Sequence, residues 1–167
     1  MMIKSNDTLD EIIVTVGYLG KIKYAPGTFG SLAGLLVLLL PEYMIWYSSL
    51  VLAIILSVIS YPAIIRYEKI KGDDHSSIVI DEVIGMLIVF SNPFMIISPV
   101  WIFIAFILFR IFDILKPYPI SILNEQKGAF FVIADDVIAG AFALIILHIF
   151  QLGYRILPFF LSFLKII

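Results

Sequence analysis

Two pairs of adjacent acids each lead an apolar run in this chain: Asp81 and Glu82 in DDHSSIVIDEVIG (73–85), and Asp135 and Asp136 in DDVIAG (135–140). A third block, RIFDILKPYPI (110–120), carries Asp113 between them. A charge at the centre of a bilayer costs roughly 2.5–3.5 kcal/mol on insertion scales, so acids placed repeatedly at the mouths of apolar segments need a reason. The chain has no cysteine, which removes thiolate nucleophiles, thiolate-bound zinc and disulfides together. With His75 the only histidine near them, the clustered carboxylates favour a hard cation. Magnesium fits such a donor set, because it prefers oxygen, keeps several waters, and is commonly held by a few carboxylates plus the phosphate oxygens of a substrate. Arg110 and Lys116, with Lys69 and Lys71 in the same basic layer, are the groups to hold a phosphate's remaining charge. Acids for metal beside bases for phosphate predict phosphoryl chemistry.

Each of these residues also has a plainer reading. Asp81 and Asp135 precede apolar helices and can cap them. Arg110 and Asp113 can be a simple i,i+3 pair, and a loop histidine such as His75 is ordinarily a surface residue. The functional reading gains because the second acid of each pair exceeds what capping requires and because three blocks share the feature. Upstream, YAPGTFGSL (24–32) reads as a loop by its Pro26, Gly27 and Gly30. Amides exposed around Gly27 and Thr28 can hold a phosphate, or Thr28 or Ser31 can cap the helix that follows.

These residues need a scaffold, and composition says which kind. Of 167 residues, 62% are hydrophobic and 14% charged, against about half and a quarter in a soluble domain. The expectation is an all-α, polytopic membrane helical bundle with short or broken helices and an N-terminal amphipathic helix, forming a single membrane-embedded domain over 1–167. A net charge of −2 gives no argument for nucleic acid. No cleavable signal is expected, because Asp7, Asp10 and Glu11 precede a short first apolar run. Residues 7–19 carry Leu9, Ile12, Ile13, Val16 and Leu19 at helical spacing, with Thr8 and Glu11 placed as a capping box. Such a helix is too short to span, and should lie along the membrane surface or dock on the body. Membrane helices are predicted over 31–40, 43–65, 83–109 as a broken segment, and 134–150. The tail 154–167, with Pro158 inside it, reads as a partial or surface helix.

The run 83–109 decides whether the acids can meet. Asn92-Pro93 and Ser98-Pro99 interrupt it, so it is either one kinked span or a hairpin of two shorter helices. One span would put Asp81 and Asp113 on opposite membrane faces; a hairpin returns them to the same one. Nine of the eleven Lys and Arg residues fall in three segments: Lys4, Lys21 and Lys23; Arg66, Lys69 and Lys71; Arg110, Lys116 and Lys127. The positive-inside rule places all three in the cytoplasm only if both intervening stretches are hairpins, which favours the doubled-back form.

The blocks PGTFGSL, DDHSSIVIDEVIGM, FRIFDILKPYPI and IADDVIAG, in that order and at these separations, resemble the phosphatidylglycerophosphatase A family over about Tyr24 to Gly140. The resemblance implies a magnesium-dependent bacterial enzyme of the cytoplasmic membrane that removes the terminal phosphate from phosphatidylglycerophosphate. Asp81, Glu82, Asp113, Asp135 and Asp136 would bind one or two Mg2+ ions at the cytoplasmic face, with Asp81, Asp136 and His75 as the catalytic set. Arg110, Lys116, Gly27 and Thr28 would hold the substrate phosphate. Attack by water and an aspartyl-phosphate intermediate both remain open. The chain departs from the family pattern where Asp73 and Ser76 stand in place of a histidine and a glycine, and where Ala129 and Phe131 stand in a glycine-richer segment; all five acids are kept. The alternative from another class is a cation- or proton-coupled transporter, which would place the carboxylates near the midplane, facing a cavity at discontinuous helices.

Overall fold

The computed structural model describes the backbone of residues 6–164 and the side chains of residues 8–158; Lys4 and the last three residues of the tail lie outside the described residues. The described residues form an all-helical bundle: α1 (Asn6–Val14), α2 (Pro26–Gly34), α3 (Glu42–Lys71), α4 (Ile80–Val89), α5 (Pro99–Leu115), α6 (Ile120–Asn124) and α7 (Ala129–Leu164). Two segments, Glu42–Lys71 and Ala129–Pro158, are long and apolar enough to cross a membrane. At ~1.5 Å per residue, 30 residues make about 45 Å of helix, more than the ~30 Å of a hydrocarbon core. Their outer faces are apolar, with Ile54, Ile55, Val58 and Ile59 of α3 and Ile145, Ile149 and Leu152 of α7 exposed.

The run 83–109 is two helices, α4 and α5, joined by a turn over residues 90–98. The prolines explain the break: each disfavours helix in the residue before it, and Pro99 sits in the first turn of α5, where its missing N–H is not needed. The non-helical backbone of this turn is held by α7. The Ile96 N–H donates to Gln151 Oε1 at 2.9 Å, and Gln151 Nε2 donates to the Ile96 carbonyl at 3.0 Å. Asn92 Nδ2 meets His148 Nδ1 at 2.9 Å, and Arg155 donates to the Phe94 carbonyl at 2.9 Å. His148, Gln151 and Arg155 stand at i, i+3, i+7, so one face of α7 holds the turn.

At the centre lies α4, packed against α7, α2 and α3, with Ile84, Met86 and Val89 wholly buried. Glycines permit these close approaches. Gly30 and Gly34 of α2 lie against α4, where an added Cβ would come within 2.7 Å of the Val79 carbonyl oxygen and the Met86 Cβ respectively. A Cβ at Gly140 of α7 would overlap the carbonyl of Gly85 on α4. Small residues let apolar helices meet backbone to backbone in this way.

Several predicted boundaries need correction. Residues 26–34 are a helix and not a loop: Pro26 is at its start, and its glycines serve packing. Neither Thr28 nor Ser31 caps it; Ser31 Oγ instead donates back to the Gly27 carbonyl at 2.9 Å. The helix predicted over 31–40 is the end of α2 followed by a 3-10 turn, Leu35–Leu39, tightened before Pro41. The helix predicted over 7–19 stops at Val14, because Val16, Gly17 and Tyr18 take positive φ values of 49°, 63° and 72°. Thr8 lies inside α1 rather than capping it. That helix docks on α3 through Asp10 and Arg66, paired by two hydrogen bonds of 2.6 Å. Helix α3 runs past Ile65 to Lys71 and ends at Gly72, φ 101°. The segment predicted over 134–150 and the described part of the tail, 154–164, belong to one helix, α7, that passes through Pro158. A proline removes one helical hydrogen bond, and no glycine or polar loop follows to divert the chain.

Candidate functional site

Four helix ends meet at one end of the bundle. Helix α4 brings Asp81 and Glu82 in its first turn. Helix α5 brings Arg110 and Asp113 in its last turns, and Lys116 follows as its C-cap in the left-handed conformation, φ 42°. About two turns into α7 stand Asp135 and Asp136. The start of α2 closes the group: a Cβ at Gly27 would run into Glu82 Oε1 and come within 3.2 Å of Arg110 Nη1. The doubled-back hairpin therefore brings Asp81 and Asp113 together, both beside Asp136.

Asp81, Glu82 and Asp136 each offer a carboxylate oxygen within 4.8 Å of the others, a group that can hold a metal ion. Burial makes the grouping expensive unless something answers it. Asp136 is 2% exposed and Asp81 8%, and Asp81 Oδ1, Glu82 Oε2 and Asp136 Oδ2 are buried without a hydrogen-bond partner. An unpaired buried charge costs several kcal/mol or more. Three grouped acids, each with an orphaned oxygen, are the donor set of a hard divalent cation.

The other two acids are anchored by bases. Asp113 is paired with Arg110, whose Nη1 also donates to Ser31 Oγ at 3.2 Å. Asp135 accepts from Lys116 Nζ at 2.5 Å, and the same ammonium donates to Asn124 Oδ1. Burial alone would lower the Lys116 pKa, but the hydrogen bond to Asp135 and the charges of Asp135, Asp136 and Asp113 outweigh it and hold the ammonium above its ordinary value. Lys116 thus fixes Asp135 rather than standing free for a phosphate. Arg110 differs: its Nη1 lies near Gly27, and its Nε is buried and unpartnered, a donor still to be used. Five carboxylates against two cations leave an excess of three negative charges when all are ionised.

Two predicted residues stand apart. His75 is outside the carboxylate group and lines a separate cavity with Lys21, Lys23 and Lys71. Its Nδ1 lies 2.8 Å from Ser77 Oγ, which in turn meets the Tyr67 hydroxyl at 2.8 Å. Thr28 is half-buried, its N–H donating to the Ala25 carbonyl at 3.0 Å, and among the described residues it shares no hydrogen bond or ion pair with the acids. Conversely, Ser31, Asn124, Tyr67 and Ser77 take part in holding site residues without having been singled out for it. Each is an ordinary polar residue whose partner is supplied by the fold; for Ser31 and Arg110 that partner is 79 residues away.

The family described as phosphatidylglycerophosphatase A matches residues 12–151. Phosphatidylglycerophosphatase A of Haemophilus influenzae is 37% identical over 143 residues, covering 83% of this chain and 87% of that protein. The Escherichia coli K12 protein of the same name is 32% identical over 143 residues, covering 81% and 80%. A Bacteroides thetaiotaomicron protein described as a candidate phosphatidylinositol-3-phosphatase is 32% identical over 136 residues, covering 75% and 83%. No solved structure gives a significant match. The transporter alternative gains no support from these relatives.

Proposed function

The chain belongs to the phosphatidylglycerophosphatase A family, and from that premise we propose that it is a magnesium-dependent phosphatase converting phosphatidylglycerophosphate to phosphatidylglycerol and phosphate. The observation that carries the reading is the grouping of Asp81, Glu82 and Asp136, each of which has a buried, unpartnered oxygen. Those residues would hold Mg2+, with Asp113 and Asp135 keeping the surrounding charge in place. When bound, the ion supplies neutralisation of the phosphomonoester charge and acidification of a water.

The remaining work falls to side chains. Ser31 and Asp113 hold Arg110 by its Nη1, and its unused Nε is suited to an equatorial phosphoryl oxygen, where charge grows in the transition state. Asp81 or Asp136 would take the proton of the attacking water through whichever of its two oxygens does not hold the ion. His75 lies in another cavity, so we assign it no proton transfer. Helix dipoles help hold the acids: Asp81 and Glu82 lie in the first turn of α4, at its positive end.

The apolar outer faces of α3 and α7 suit an enzyme whose substrate keeps its acyl chains in the bilayer while the headgroup enters from the side. The lysine and arginine distribution favours the cytoplasmic face of a bacterial inner membrane for the acidic end, with the chain crossing more than once. The test is phosphate release from phosphatidylglycerophosphate in detergent micelles, with Mg2+ and then with excess chelator. We expect release with the ion and background rate after chelation. No release from this lipid sinks the substrate assignment; undiminished release after chelation sinks the metal.

A further inference from the structure

We propose that the cavity holding His75 is a second anion subsite, one that takes the phosphodiester of the lipid headgroup while the carboxylate group works on the terminal phosphate. The inference rests on the phosphatase reading above and adds where the rest of the headgroup is gripped. The cavity measures about 580 Å3, and Lys21, Lys23, Lys71 and His75 line it with a single acid, Glu11. Glu11 is spoken for, paired with Lys21 at 2.8 Å. Among the described residues, Lys23 has only the Tyr24 ring, 5.7 Å away, and Lys71 meets no carboxylate. Two ammonium groups around one hollow therefore lack a counter-charge. Lysine binds phosphate as a mobile point charge, which suits a diester better than a bidentate fork would.

The His75 ring is held through one of its nitrogens. Its Nδ1 accepts the Ser77 N–H at 3.2 Å and sits 2.8 Å from Ser77 Oγ, so in the neutral ring the hydrogen belongs on Nε2. Behind it the fold has buried a polar pair, Tyr67 and Ser77, 4% and 7% exposed and 2.8 Å apart, with the Tyr67 ring edge-on to the imidazole at 6.2 Å. Such a buried polar network rigidifies what it holds; here it holds one imidazole at the wall of a basic hollow.

The cavity and the carboxylates share a rim. Pro26 lines the cavity, and Gly27, the next residue, abuts Glu82 and Arg110. A headgroup lying over the start of α2 would reach both sites. The relatives agree in chemistry: phosphatidylglycerophosphate and a phosphatidylinositol 3-phosphate each carry a phosphomonoester on a polyol that a phosphodiester joins to diacylglycerol. The diester is what the two named substrates have in common besides the group removed.

The test uses the full-length Lys23→Gln/Lys71→Gln double variant, both positions being exposed. The preference for phosphatidylglycerophosphate over glycerol 3-phosphate, which has the monoester and no diester, is read as a ratio of kcat/KM. We expect it to fall at least about tenfold, the size of a lost charge-assisted contact, through KM for the lipid. Separately, binding of phosphatidylglycerol, which keeps the diester and lacks the monoester, should weaken about tenfold by the same reasoning, while diacylglycerol binding serves as the control. His75→Gln, which retains a donor, should lose less of the preference than His75→Ala. An unchanged ratio with unchanged phosphatidylglycerol binding overturns the proposal. So does relief of inhibition by inorganic phosphate without any change in lipid KM, because the cavity would then hold free phosphate. If the wild type releases no phosphate at all, the phosphatase reading has failed, and the binding arm still decides the cavity.

Discussion

Asp136 is the most deeply buried acid of the site, and like Asp81 and Glu82 it has a buried oxygen without a hydrogen-bond partner. Asn has the same shape and hydrogen-bonds as well as it accepts, so Asp136→Asn and Asp81→Asn separate charge from packing. Each should lower kcat for lipid phosphate release at least about 100-fold, the scale for losing a metal ligand or its close support, with the thermal unfolding midpoint in detergent no lower than that of the wild type. Near wild-type turnover in either variant removes that residue from the site. All five acids were legible in the sequence, because charge has no other business in runs this apolar. What held them was not. Ser31 and Asn124 are common residues, and only the fold brings Arg110 to one and Lys116 to the other. His75 was drawn toward the acids by its place in DDHSS, yet six residues of separation from Asp81 are enough for the loop to face it elsewhere.

At the level of elements, the crossing of α4 and α7 sets the distance between the two acid pairs. It depends on Gly85 and Gly140 meeting backbone to backbone. Gly140→Ala puts a methyl group into the Gly85 carbonyl, and overpacking of this kind typically costs about 1–3 kcal/mol. We expect a lower unfolding midpoint together with a disproportionate fall in kcat, since Asp136 stands one turn from the contact; a variant with wild-type values of both would show that the helices have room to part. The doubled-back hairpin was readable from Asn92-Pro93 and Ser98-Pro99 because proline acts locally. The extents of α3 and α7 were not, since charged Arg66, Lys69 and Lys71 continue a helix as readily as they end one, and Pro158 falls where one missing hydrogen bond is tolerated. The glycines at the start of α2 misled for a different reason: Gly27 and Gly30 look like loop residues until the partner helix they admit is known.

For the molecule as a whole, a helix of about 45 Å has its two ends on opposite sides of a ~30 Å hydrocarbon layer. Glu42 begins α3, and Ser76 lies in the loop just beyond its other end, both exposed. The chain has no cysteine of its own, so Glu42→Cys and Ser76→Cys are clean reporters. An impermeant thiol reagent should reach Ser76→Cys only from the cytoplasmic side and Glu42→Cys only from the outside; labelling of both from one side would rule out the crossing.

The grip of α7 on the 90–98 turn has a consequence for how this protein ages and recovers. That grip is made of amides, an imidazole and a guanidinium, none of them near the acids. The turn is fastened at one end of α4 and the acids are grouped at the other. Protein that has been through the chelator experiment should keep its full helical ellipticity and regain its original rate once the ion is restored. In Gln151→Leu, where the far fastening is cut, the same cycle should leave a fraction of molecules that never come back.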